Sequence, residues 1–186
     1  MVSSNRPEFE AAIDRLEAAL RECPDDLWDR SVWVVKKTDP WIWPKDGQAH
    51  GRTEESIQVF STFWLVAYHC LFFLDFYLWD GTGEWATPPT FAGGPEDQSI
   101  DEHGAARPPD VRYTREQLLD YTTYGRERAR RVLSEVSPSQ LRLVMPTGHP
   151  RAGQSFDAVI QANLEHVREH GSQLAEFVTS GGITTP

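Results

Sequence analysis

The sequence predicts an all-α chain, a four-helix bundle with long irregular loops. Four segments carry apolar residues at helical spacing, and proline and glycine break the chain between them. The most apolar run, Phe63 to Trp79, is short for a membrane span and carries His69 and Asp75, which makes it a helix buried among other helices.

The first helix spans about residues 7–22. Phe9, Ile13, Leu16 and Leu20 stand at spacings of four, three and four and make one stripe. Pro7 suits the first turn, where its missing N–H is harmless, and Pro24 ends the segment. Residues 24–52 are irregular, broken by Pro40, Pro44 and Gly47, with Trp28, Trp33, Trp41 and Trp43 expected to pack this connection onto the bundle. A short helical turn or an extended piece near 32–35 is open.

The second helix is expected from Thr53 or Glu54 to Trp79, stopped by Gly81 and Gly83, with Thr62, Val66, His69, Phe73 and Phe76 on one face. Residues 81–112 hold most of the remaining proline and glycine and read as an excursion or lid. Thr114 and Gln117 fit a capping box opening the third helix, whose seam is Leu118, Tyr121, Gly125, Ala129, Val132 and Val136. Residues 139–154 form a second loop, in which 141–145 can pair briefly as a strand. Ser155 caps a fourth helix over about 156–179.

A length of 186 residues suits one domain, 1–186. A formal charge of −10 repels phosphate backbones and anionic membrane surfaces, which excludes nucleic-acid and membrane partners and leaves a small-molecule substrate. Cys23 and Cys70 are the only cysteines and make no CxxC, and MVSSNRPEFE has no apolar signal core, so a cytoplasmic location is expected.

The chemistry lies in Asn163-Leu-Glu-His166-Val-Arg-Glu-His170-Gly-Ser-Gln173. His166 and His170 are four residues apart, one helical turn on one face, so both imidazoles can reach one ion. The same face carries Val159, Asn163, Gln173 and Phe177 and is therefore the inward one. Buried imidazoles need partners for both ring nitrogens; a metal satisfies one, and Asn163 or Gln173 can hold the other. His69, mid-helix on an apolar face, is the candidate third ligand. Three neutral histidines leave coordination positions open, the catalytic arrangement, and suit zinc, nickel or iron. The plainer alternative is a hydrogen-bonded core histidine at 69 and a surface pair at 166 and 170.

Glu169 flanks the histidine face and is the candidate general base; Glu165 lies further round, and both can equally be solvated surface charge. Asp75 and Asp80 are weaker candidates. His50, His103 and His149 sit in Pro/Gly-rich loops and are expected to face solvent, although His149 can approach the pocket. Cys70 points about 100° away from His69 on a helix and reads as an apolar filler. Cys23 sits at a helix end, a place open to exposure. Trp79 and Trp85 are placed nearest a pocket mouth. His166 to His170 also spells His-x-x-Glu-His, the inverted zinc protease string, but only sixteen residues follow His170, too few for a distant acidic ligand. Paired Glu-x-x-His motifs for a di-iron site are absent.

The order of elements, the histidine within Tyr68-His69-Cys-Leu-Phe-Phe-Leu-Asp-Phe-Tyr-Leu-Trp79, and the pair His166 and His170 followed by Gln173-Leu174 resemble the DinB-like (DinB/YfiT-like metalloenzyme) superfamily. The resemblance implies a four-helix bundle with a three-histidine divalent metal site, frequently a homodimer. It further implies activities like those of its transferases and isomerase, which use a low-molecular-weight thiol such as bacillithiol or mycothiol as cosubstrate. The long segments 24–52 and 81–112 depart from the family's shorter pattern, so substrate does not carry over. Two function classes follow: a metal-dependent thiol S-transferase or small-molecule hydrolase, and a non-catalytic metal- or ligand-binding helical protein.

Overall fold

In the computed structural model of the chain, residues 6–39, 41–83, 85, 101–109, 111–147 and 149–183 are described. Among them the architecture is all-α: α1 (Arg6–Glu22), a short α2 (Glu54–Ile57), α3 (Phe63–Phe76), α4 (Arg115–Glu135) and α5 (Phe156–Thr179), joined by irregular chain. The four long helices meet pairwise. α1 packs on α4 and α5, and α3 packs on the same two.

The α1 stripe is buried as its spacing predicts, with Phe9, Ile13, Leu16 and Leu20 joined by Ala12 and Ala19. α5 approaches it closely at Gly171, where a Cβ would stand 3.4 Å from the Ala12 carbonyl oxygen and 3.5 Å from the Leu16 nitrogen. An added Cβ would stand at ordinary van der Waals contact with the α1 backbone, so the two helices lie close there. The α1–α4 contact is partly ionic. Arg126, 13% exposed in its side chain, reaches Glu10, Asp14 and Glu17 at 2.9, 2.6 and 2.7 Å. The expected caps are in place: the Thr114–Gln117 box is reciprocal, and the Ser155 hydroxyl accepts from the Ala158 N–H. Along α4 the buried stripe ends at Leu133, with Val132 and Val136 only partly covered.

The expected second helix is broken. Residues 53–79 divide into α2, a 3-10 turn at Gln58–Ser61 and α3, with Thr62 extended between them (φ −62°, ψ 145°). The physical reason is competition for the backbone. The Ser61 and Thr62 hydroxyls bond back to the carbonyls of Gln58 and Val59. The passing chain at 28–32 then takes the freed groups: Val32 N–H donates to Ser61 O at 2.7 Å, Phe63 N–H to Arg30 O at 3.0 Å and Trp64 N–H to Trp28 O at 3.2 Å. α3 also ends at Phe76 rather than at Trp79.

Trp28 anchors the 24–52 connection as expected; it is buried, and its Nε1–H donates to Tyr113 O. Trp41 does not, being 69% exposed. The extended pieces anticipated near 32–35 and 141–145 shrink to isolated bridges, Ser31 with Thr62 and Val144 with Ser155. Much of the expected excursion at 81–112, residues 86–100, lies outside the described residues. Among those described, no helix is long and apolar enough to cross a membrane.

Candidate metal centre

α3 is apolar on nearly every side and is buried accordingly, with His69 half-buried on the side that faces α5. α5 lies across from it with Val159, Asn163 and Phe177 buried on the face that holds His166 and His170. The three histidines predicted from spacing converge. His166 Nε2 stands 3.2 Å from His69 Nε2. The ring centroids are 5.1 Å apart for His69 and His166, 5.3 Å for His69 and His170, and 4.5 Å for His166 and His170. One ligand atom from each lies within 4.8 Å of the others.

The donor chemistry fits a divalent cation. Two Nε2 atoms facing at 3.2 Å repel through their lone pairs unless a proton or a cation lies between them. Burial, and then the neighbouring His170, His69 and Arg151, push the His166 pKa far down, to about 2. Burial also lowers that of His170, against the opposing pull of Gln173 and Glu169. Both imidazoles are therefore neutral at pH 7, the form that ligates metal. Gln173 Oε1, 3.2 Å from His170 Nδ1, accepts the ring proton there and leaves the His170 Nε2 lone pair free. Of the two polar residues expected to hold the rings, Gln173 does so. Asn163 instead donates to Leu74 O at 3.0 Å, tying α5 to α3 just below the site. His166 Nδ1 is buried without a hydrogen-bond partner among the described residues.

Phe73 covers the histidines, its ring 4.8 Å from His69 and 5.6 Å from His166. Tyr77 follows at 6.3 Å from His166, with the Arg151 guanidinium 5.4 Å above its ring. That cation stands at the edge of a site in which His166 and His170 are neutral.

The other candidates separate. Glu169 and Glu165 are exposed, and Glu169 reaches His170 through its charge. Asp75 is fully buried and turned toward α4, 2.8 Å from Arg128, with the Tyr121 hydroxyl donating to it at 3.3 Å. Burial raises its pKa to about 6 against the pull of Arg128. It ties α3 to α4. Asp80 accepts from the Thr82 N–H and hydroxyl and shapes the turn after α3.

His149 corrects the sequence expectation of a solvent-facing loop residue. It is 4% exposed and stacks on Phe76 at 5.2 Å and 12° between planes. Its Nδ1 accepts from the Arg151 N–H. The bridge between Val144 and Ser155 closes the loop locally, and the stacking of His149 on Phe76, 73 positions away, is the long-range event without a local signal. Cys23 is likewise buried, its thiol pushed up to about 12 by burial, and Cys70 is buried completely. Both are free thiols in the protonated, unreactive state. Trp85 packs edge-on against Phe72 and Phe76, and Trp79 stacks on Phe76, one layer out from the histidines. Trp79 also lines a separate cleft of about 220 Å³ with Asp80, Arg128 and Arg131, which includes none of the three histidines.

Fold and site together define an all-α protein with a three-histidine candidate metal centre. The DinB superfamily model matches residues 8–174, from α1 through all three histidines, and the chain belongs to that superfamily. Comparison with curated proteins gave no match, and comparison with solved structures gave none either.

Proposed function

We propose that the protein is a metal-dependent enzyme of one domain, residues 1–186. In this proposal its four long helices form a four-helix bundle, and His69, His166 and His170 hold one zinc, nickel or iron ion. The convergence of three imidazoles from two helices, with Gln173 orienting one of them, carries the proposal. A bound ion supplies Lewis acidity, which lowers the pKa of a coordinated thiol or water or polarises a carbonyl. Transfer of a low-molecular-weight thiol to a small electrophile is the reaction class we favour over small-molecule hydrolysis, on family grounds.

The chain's own residues have distinct tasks here. Gln173 keeps the His170 proton on Nδ1. Phe73 and Tyr77 exclude water from one side of the histidines. Arg151, placed over Tyr77, favours a substrate with a negative charge. Glu169, at the exposed edge next to His170, is the candidate general base.

The test is elemental analysis of the untagged protein beside His166→Ala/His170→Ala, followed by thiol-conjugation assays of the loaded protein. One zinc, nickel or iron lost in the double variant, together with turnover that depends on it, is expected. A non-catalytic binding protein is the second reading, and the exposure of Glu169, which among the described residues leaves the histidines without a buried carboxylate beside them, favours it. Stoichiometric metal without turnover of any thiol or ester tried, combined with a large loss of stability in His69→Ala, decides for that alternative.

A further inference from the structure

The sequence places Asp46, His50 and His103 in two loops that share no motif. In the folded chain they meet. The His50 and His103 rings stack with centroids 3.6 Å apart and planes 7° from parallel. Asp46 Oδ2 lies 2.6 Å from His50 Nε2, and Glu102 Oε1 lies 3.5 Å from His103 Nε2. One ligand atom from each of Asp46, His50 and His103 lies within 4.8 Å of the other two.

The meeting is not a touch of two loose ends. Arg52 clamps the loops, bonding Asp101 at 2.6 Å, Ala106 O at 2.9 Å and Ile42 O at 3.0 Å. Lys45 N–H donates to His103 O, and Ala106 N–H to Trp41 O at 2.6 Å. Asp101 is held ionised against its burial by the Ala105 N–H and by Arg52, its pKa lowered to about 2. The backbone is coiled at the cluster. His50 is the non-glycine residue with positive φ, 42°, among the described residues, and Gly47 and Gly51 flank the turn at 76° and 83°. That coil brings the side chains of residues 46 and 50 to one point.

We propose that Asp46, His50 and His103 form a second, surface site for a first-row divalent cation such as zinc, separate from the helix-held histidines. Two imidazoles and one carboxylate are a competent donor set for zinc, nickel, cobalt or iron, with the remaining positions open to water or to Glu102. Ligands at bond lengths of about 2.0–2.1 Å around a tetrahedral ion stand about 3.3 Å apart. The ligand atoms of the cluster lie within 4.8 Å of one another, and the two partly exposed rings turn out of their parallel stack so that both in-plane lone pairs meet one ion. Asp46, a half-exposed side chain, withdraws from His50 by less than about 1 Å as the ion takes the place of the proton between them. The ion then ties the 41–52 loop to the 101–106 loop, the two segments that Arg52 already clamps.

The test is zinc titration of the untagged full chain at pH 7.5 by equilibrium dialysis, with circular dichroism of each variant. Two zinc per chain are expected for the wild type, one for His50→Ala/His103→Ala, and one for His166→Ala/His170→Ala. Asp46→Asn, which keeps the side chain's shape, is expected to weaken only the loop site, by roughly tenfold or more. Equal zinc uptake by His50→Ala/His103→Ala and wild type overturns the proposal, as does a wild type whose single zinc disappears in His166→Ala/His170→Ala. A single zinc that disappears only in His50→Ala/His103→Ala supports the loop site and sinks the helix-held one, so the two failures are distinguishable.

Discussion

Two histidine-containing clusters in one chain, one of three imidazoles and one of two imidazoles and a carboxylate, stand on opposite supports. The triad at His69, His166 and His170 stands on α3 and α5, where burial makes His166 and His170 neutral and a glutamine sets the His170 tautomer. The cluster at Asp46, His50 and His103 stands on loops at the surface, where an acidic side chain and an arginine clamp do the ordering. Helices position ligands through the packing of their other faces, so geometry follows from the core. Loops position ligands through specific polar bonds, so geometry depends on a few residues. In the first kind of site desolvation protects His166 and His170 from protons.

The comparison breaks most decisively at the ligands themselves. Replacing His166 and His170 by alanine is expected to abolish uptake at the helix-held centre while leaving the loop cluster able to bind, read as ions per chain. Persistence of the tightest binding step in that variant would falsify the assignment of the triad.

Acid sharpens the contrast next. His166, His170 and His149 are all held below the ordinary histidine pKa by burial. Unfolding restores their affinity for protons. In chelator-treated protein, stability is therefore full above about pH 6.5 and falls as pH drops below it, by up to about 1.4 kcal/mol per pH unit for each histidine. Asp75 has the opposite sign: its pKa is raised in the fold to about 6, so its contribution is present at low pH and is lost as pH rises from about 4 to 6. Denaturant melts at pH 7.5 and 5.0 are expected to show lower stability at 5.0, because three groups outweigh one. A flat profile would mean that the histidines are solvated in solution.

Gln173→Leu is a smaller perturbation, since every ligand remains. Loss of the acceptor at His170 Nδ1 is expected to weaken metal binding at the triad by about 10–100-fold and to leave the loop site unchanged. Equal affinities in competition with a chelator would show that the tautomer is set by something else. The mildest expected change is Arg126→Met, which breaks the ion pairs between α4 and α1 far from both clusters. A loss of about 1–2 kcal/mol in chemical denaturation, with both binding steps intact, is expected. A change in metal affinity in that variant would show that the centre depends on α1–α4 packing.

Much of this was legible in the sequence because it is written in short-range periodicity. The α1 stripe, the Thr114–Gln117 box, the Ser155 cap and the inward face of α5 all follow from spacings within a few turns. So did the three metal-ligand candidates, since residues 166 and 170 share a face by helix geometry and a mid-helix histidine in the most apolar segment has to turn inward somewhere. The break at Thr62 was not legible. An apolar run from 63 onward continues helical pattern through residues 53–62 without a proline or glycine to mark a stop. What stops it is the chain at 28–32, which offers those backbone groups other partners.

By itself, then, the sequence determined α1, α4 and α5, the faces of α1 and α5 that are buried, and the identity of the three converging histidines, because local propensity and periodicity act within a few turns of chain. Tertiary structure alone decided three other things: that His149 is stacked inside against Phe76, that Asp75 is spent on Arg128 and Tyr121 rather than facing the triad, and that Asp46 and His50 meet His103. Each depends on contacts between residues tens of positions apart, closed by packing and by clamps such as Arg52, and no local pattern encodes where two irregular loops come together.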